Sequence, residues 1–173
     1  MKKTLLLFMT LVTANLCAQE LPATYATDFK TILESAKKSF KGDQSGSEKV
    51  LADKDFDKEY AVKNTFKGAA VSRLVTDKDG VLNHHAQFRA GISKNEALVL
   101  LGKFAGATKP LVPAKYKESE NVMMKYINNR AYTWSLDSDN FSEVSNHPII
   151  TMGLIEKEGV YYIDLTITEP SGF

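Results

Sequence analysis

IITMGLIEKEGVYYIDLTIT, residues Ile149 to Thr168, decides the fold class of this 173-residue chain. Ile149 to Glu156 and Val160 to Thr168 are rich in β-branched and aromatic residues, and Glu158-Gly159 between them suits a tight turn. In the second run Tyr161, Ile163, Leu165 and Ile167 alternate with Tyr162, Asp164 and Thr166. One face of that strand is therefore core and the other polar. The alternation predicts that Ile163→Asp unfolds the domain whereas Asp164→Ala leaves it folded, since only the former buries an unpaired charge.

Working back from the hairpin, Ala131 to Leu136 reads as a strand carrying Trp134, and Asp137 to Asn146 as a long polar loop. Lys117 to Asn129 fits either a strand or a helical turn. Ser93-Lys94-Asn95-Glu96 is a capping box, in which hydroxyl and carboxylate each satisfy an orphan amide. It opens a helix through Ala97, Leu98, Leu101 and Phe104 that Gly106 is expected to end. Ala69 to Thr76 and Val81 to Arg89 flank Asp77-Lys78-Asp79-Gly80, a hairpin signature because such turns need positive φ. Gly42 to Lys58 is polar and reads as a loop. Thr24 to Phe40 places Phe29, Ile32, Leu33, Ala36 and Phe40 on one helical stripe, with Gly42 as its cap.

These elements predict an α+β domain: an antiparallel sheet, made of a hairpin plus a C-terminal meander, covered on one face by two amphipathic helices. The expected order is α-ββ-α-βββ, with no internal repeat at solenoid periods.

The N-terminus reads as a secretory signal peptide over residues 1–18. Lys2 and Lys3 form a positive tip, Leu5 to Ala14 an apolar run, and Asn15-Leu16-Cys17-Ala18 a cleavage site before Gln19. The run is shorter than the ~20 apolar residues of a membrane span. Residues 19–173 are then one domain, expected in the periplasm or outside the cell, with no membrane insertion after leader removal. Leu16 is too bulky for the tight site before a lipoprotein cysteine, so release is expected rather than acylation of Cys17. Cys17 is the chain's one cysteine and leaves with the leader, which excludes disulfides and thiolate chemistry.

The formal charge of +1 becomes −1 once Lys2 and Lys3 are gone. Lys30, Lys37, Lys38 and Lys41 interleave with Asp28, Glu34 and Asp43 as a solvated helix face, not the basic stripe of a nucleic-acid binder.

His84 and His85 fall on opposite faces of a strand, so they do not converge on one metal. His84 keeps register with Leu82, Ala86 and Phe88, and reads as partly buried. His85 shares the other face with Asn83, Gln87 and Arg89, and reads as a surface residue. With His147 they are the only three histidines, a poor basis for zinc. The acidic runs at Asp53, Asp77 and Asp137 miss the calcium-loop template and read as turns. No nucleophile elbow, P-loop or dinucleotide fingerprint is present, so no cofactor or metal is expected.

Tyr126, Tyr132, Trp134 and Tyr162, with His85 and Arg89, are the candidate ligand-binding residues, because tyrosine and tryptophan bring apolar area with a polar tip to recognition surfaces. The reading is an exported, non-enzymatic binding or interaction protein whose partner is a protein or a small-molecule ligand. The alternative is a hydrolase or metal-dependent enzyme using His84, His85 or His147 with loop carboxylates. A pocket holding a histidine and a carboxylate within hydrogen-bond reach would favour the enzyme.

Overall fold

A computed structural model of the chain describes residues 20–52 and 55–171. The expected leader, with Cys17, and Asp53 lie outside them. The protein is a mixed α+β structure dominated by one antiparallel sheet. Its elements are α1 (Tyr25–Ala36), β1 (Gln44–Val50), β2 (Phe56–Val62), β3 (Val71–Asp77), β4 (Leu82–Gly91), α2 (Lys94–Thr108), β5 (Tyr116–Val122), β6 (Arg130–Leu136), α3 (Phe141–Ser145), β7 (Ile149–Lys157) and β8 (Val160–Thr168). Eight strands pair in the order β1-β2-β3-β4-β8-β7-β6-β5. A helix followed by a four-strand meander thus occurs twice, and the two meanders join where β4 pairs antiparallel with β8.

The C-terminal hairpin forms as its pattern dictates. Glu158 and Gly159 take φ of 52° and 74°, the left-handed conformation a two-residue hairpin turn requires. Gly80 does the same for the β3–β4 turn, at φ 81°.

Other expectations need correction. The order is not α-ββ-α-βββ, because β1 and β2 occupy most of the presumed loop Gly42 to Lys58. β1 is an outer strand with exposed side chains, so it carries no alternation to read. Its pairing with β2 is supported at the surface by a Lys58–Glu48 ion pair of 2.9 Å. The opposite edge, β5, resolves Lys117 to Asn129 as strand, then connector with a 3-10 turn at Ile127–Asn129. The loop Asp137 to Asn146 holds α3, capped by Asn140, whose side-chain oxygen accepts from Ser142 N at 3.0 Å. α1 stops at Ala36, and Ser39 and Phe40 at positive φ turn the Phe40 ring back into the core. α2 runs past Gly106 to Thr108; an interior helical glycine costs about 1 kcal/mol but does not end a helix. Ser93 caps α2 as read, accepting from Glu96 N at 3.4 Å.

One apolar cluster holds the fold. Ile163, Leu165 and Ile167 of β8 are fully buried between their register partners, Phe88, Ala86 and His84 of β4 and Leu154, Met152 and Ile150 of β7. Phe29, Ile32 and Leu33 of α1 and Ala97, Leu101 and Phe104 of α2 join the same cluster. Tyr25 ties the helices together. Thr108 Oγ1 donates to Phe104 O at 2.8 Å, so Tyr25 OH is the donor in its 2.6 Å bond to Thr108 Oγ1.

His84 sits inside this cluster beside Phe40 and Phe66. It is fully buried, more deeply than its sequence suggests. Nε2 donates to Asn64 O at 3.2 Å, while Nδ1 has no partner among the described residues. Burial lowers its pKa to about 4, against a smaller opposing effect from the Asn64 bond. As pH falls below about 6.5 the unfolded chain takes up a proton the folded one refuses. Stability from this residue is therefore intact above that value and drains towards pH 4, by about 3 kcal/mol in all. Urea midpoints taken from pH 7 to 4 should fall in the native protein and stay much flatter in His84→Leu. Parallel curves would overturn this assignment.

Candidate functional site

The polar side of β8 is not a solvent face. Asp164 is 3% exposed, Thr166 9%, and their neighbours His85 and Gln87 on β4 4% and 5%. Two segments bury them: the β5–β6 connector, which brings Lys125 and Tyr126, and the start of β2, which brings Phe56. The reading of His85 as a surface histidine is thereby corrected.

Asp164 is the hub. Its Oδ1 accepts from His85 Nε2 at 2.6 Å and from Gln87 Nε2 at 3.0 Å. Its Oδ2 accepts from Tyr126 OH at 3.1 Å and has Lys125 Nζ at 3.5 Å. Arg73 Nε donates to His85 Nδ1 at 3.4 Å, which leaves the ring proton on Nε2, facing the carboxylate. Gln87 turns its amide oxygen outward to accept from Lys157 Nζ at 3.0 Å. Burial acts to raise the Asp164 carboxyl, but the hydrogen bond from His85, with the Lys125 charge and the Gln87 bond, outweighs it and holds the group below the usual carboxylate range. Burial, then the adjacent Asp164 charge, push the Tyr126 phenol far above its ordinary value. Asp164 is thus ionised and Tyr126 neutral at physiological pH.

Tyr126 reaches this position because Gly153 leaves room. The ring lies on the bare backbone of β7, where a Cβ would overlap it, and the hydroxyl extends to Asp164, the register partner of Gly153.

A cleft opens beside the hub in two lobes that share Asp55, Phe56 and Lys125. The first, about 190 Å³, is bounded by Arg73, His85, Gln87 and Lys157. The second, about 420 Å³, is floored by Asn83, Thr151, Thr166 and Thr168. The Phe56 ring packs on His85, centroids 5.1 Å apart, and under the Arg73 guanidinium at 5.4 Å. A wider hollow of about 640 Å³ lies beside α2 along Leu21, Val99 and Leu100. It is mostly apolar and has no buried polar network, so the smaller cleft is the candidate site.

Of the residues singled out in the sequence, His85 and Tyr126 meet at the hub. Arg89 and Tyr162 are register partners farther along the polar face. Trp134 and Tyr132 stack on each other at 6.1 Å on the opposite side, where Trp134 is core; they do not belong to the site. His147 is remote from His85, held by Lys115 Nζ at 2.7 Å and Glu143 O at 2.9 Å at the edge of a different hollow. Sequence reading missed Asp164, Gln87, Lys125, Lys157, Arg73 and Phe56. The one available signal was the run of polar residues on alternate positions of β4 and β8, which passes for a solvated face until something covers it.

Among the described residues, no group of three histidine or acidic side chains is arranged to hold a metal ion, and no helix is long and apolar enough to cross a membrane. Comparison with protein-family models, curated proteins and solved structures finds no match.

Proposed function

We propose that this is an exported, non-enzymatic binding protein that seats a small polar ligand in the two-lobed cleft, on the sheet face away from its two long helices. One observation carries the proposal: the Asp164–His85 hub that walls the first lobe is bonded throughout from within the protein. Both oxygens of Asp164 and both ring nitrogens of His85 already have partners. A saturated, buried network is rigid and presents its outer groups at set positions, which is what selective binding of a polar molecule needs. Export rests on the charged tip and apolar run of the first eighteen residues. N-terminal sequencing of exported protein should begin at Gln19, and a chain retaining Met1 would overturn that part.

A second reading, an enzyme, has the support that the sequence criterion named, a histidine and a carboxylate within hydrogen-bond reach in one cleft. His85 and Asp164 meet at 2.6 Å in a cleft, the pairing an acid–base enzyme uses. One experiment separates the two. Amide NMR spectra recorded with a library of small polar metabolites should shift at Asn83 to Gln87 and at Thr166, with each ligand recovered unchanged. Ligand consumed by the native protein and spared by His85→Gln would favour the enzyme. Shifts confined to the hollow at Val99 and Leu100 would overturn the cleft altogether.

A further inference from the structure

We infer that the ligand is a small sugar acid: one polyhydroxylated ring carrying a single carboxylate or phosphate. This rests on the cleft being the binding site, and it follows from how differently its two lobes are furnished.

The first lobe is cationic. Arg73, Lys125 and Lys157 converge on it from β3, the β5–β6 connector and β7. Two carboxylates stand near them: Asp164, already satisfied by His85, Gln87, Tyr126 and Lys125, and the exposed Asp55 at the border with the second lobe. Glu156 also borders the lobe, but as the register partner of Tyr161 it belongs to the other face of β7 from Gly153 and Ile155. An anionic group entering here meets Lys125, Lys157 and the Arg73 guanidinium, a planar group suited to carboxylate or phosphate oxygens that His85 at 3.4 Å and Glu59 at 3.8 Å hold in place.

The second lobe is neutral where it is deepest. Asn83, Thr151, Thr166 and Thr168 floor it, groups that both donate and accept as sugar hydroxyls do. The Thr166 side chain is nine-tenths buried, and its hydroxyl has no hydrogen-bond partner among the described residues. Buried hydroxyls are ordinarily bonded; those of Thr76 and Thr133 also lack a partner among the described residues, but of the three only Thr166 lines the cleft. At the rim stand Asp77 and Asp79, with Lys78 between them paired to Asp57 at 2.5 Å, and Asp55 at the border with the first lobe. Asp77 is occupied by its own turn, accepting from Asp79 N at 3.0 Å and Val81 N at 2.9 Å. These carboxylates repel a second anionic group and so orient the ligand, charge into the first lobe and hydroxyls into the second. The Phe56 ring, common to both lobes, offers an apolar wall to the C–H face of the ring.

Calorimetric titration with D-glucuronate, glucose 6-phosphate, glucose, acetate and inorganic phosphate tests this. At least one sugar acid should bind about tenfold or more tightly than both glucose and its own anion alone, as expected when a charged and a neutral set of bonds form together. Glucuronate and glucose 6-phosphate distinguish the carboxylate from the phosphate. Lys157→Gln should weaken the sugar acid about tenfold and leave glucose unchanged. Thr166→Val should weaken both sugars while its thermal midpoint holds or rises, because an unpartnered buried hydroxyl is replaced by a methyl. A purely structural threonine would lower the midpoint and leave binding alone. Sugar acids binding no better than acetate and phosphate, or unaltered by Thr166→Val, would overturn the ligand class. Amide shifts at the cleft with other metabolites would then leave the site itself standing, and their absence would remove both.

Discussion

Asp164→Ala should be among the most damaging single substitutions in the protein, lowering stability by about 3–5 kcal/mol in urea unfolding. Inspection of the strand alone suggests the opposite, since Asp164 alternates with Ile163 and stands on the polar side. In the folded chain the carboxylate is 3% exposed and accepts from His85, Gln87 and Tyr126, with Lys125 alongside. Removing it strands three donors and an ammonium around an empty space, and buried groups that lose their only partner bear the full cost of desolvation. Asp164→Asn retains one acceptor oxygen and should lose less. Ile163→Asp remains intolerable for the reason the alternation supplies, an unpaired charge in the apolar cluster. Adjacent residues of β8 are thus both indispensable, one to each face. A native urea midpoint for Asp164→Ala would show that the polar face is open to water.

The second large effect is expected at Gly153. An alanine there would place its Cβ inside the Tyr126 ring, whose atoms cannot give way while the hydroxyl is bound to Asp164. The ring must leave, and with it go the apolar burial of a tyrosine, one bond to the hub and the cover over the threonines. A loss of about 3–5 kcal/mol follows from overpacking and lost burial together. A double-mutant cycle isolates the cause: in a Tyr126→Ala background, Gly153→Ala should cost less than about 1 kcal/mol, because the steric partner is gone. Equal costs in both backgrounds would place the strain elsewhere. Gly153 keeps no special backbone angle, and its role is to leave a space.

Much of the fold was legible because periodicity reports burial directly. Ile163, Leu165 and Ile167 point inward as their spacing requires, α1 buries the stripe Phe29, Ile32, Leu33 and Ala36, and Ser93 opens α2. β1 and β5 were not legible. Edge strands are hydrogen-bonded on one side only and here bury few side chains, so no alternation marks them. The doubled helix-and-meander plan was hidden likewise, since the shared architecture leaves no shared residues that a repeat search would find.

By itself the sequence determined the secondary periods, the hairpin turns, the opposite faces taken by His84 and His85, and the apolar face of β8. These follow from local rules: a period of two or 3.6, a glycine where φ is positive, a cap where amides are orphaned. Only the tertiary structure decided the fate of the polar face. Whether Asp164, His85, Gln87 and Thr166 meet water or one another depends on where the β5–β6 connector and the start of β2 come to rest. That is set by packing between segments far apart in the chain, above all by Tyr126 settling on Gly153. The site was unreadable in the sequence because a residue's polarity states what it can bond, while its burial depends on what the rest of the chain lays over it.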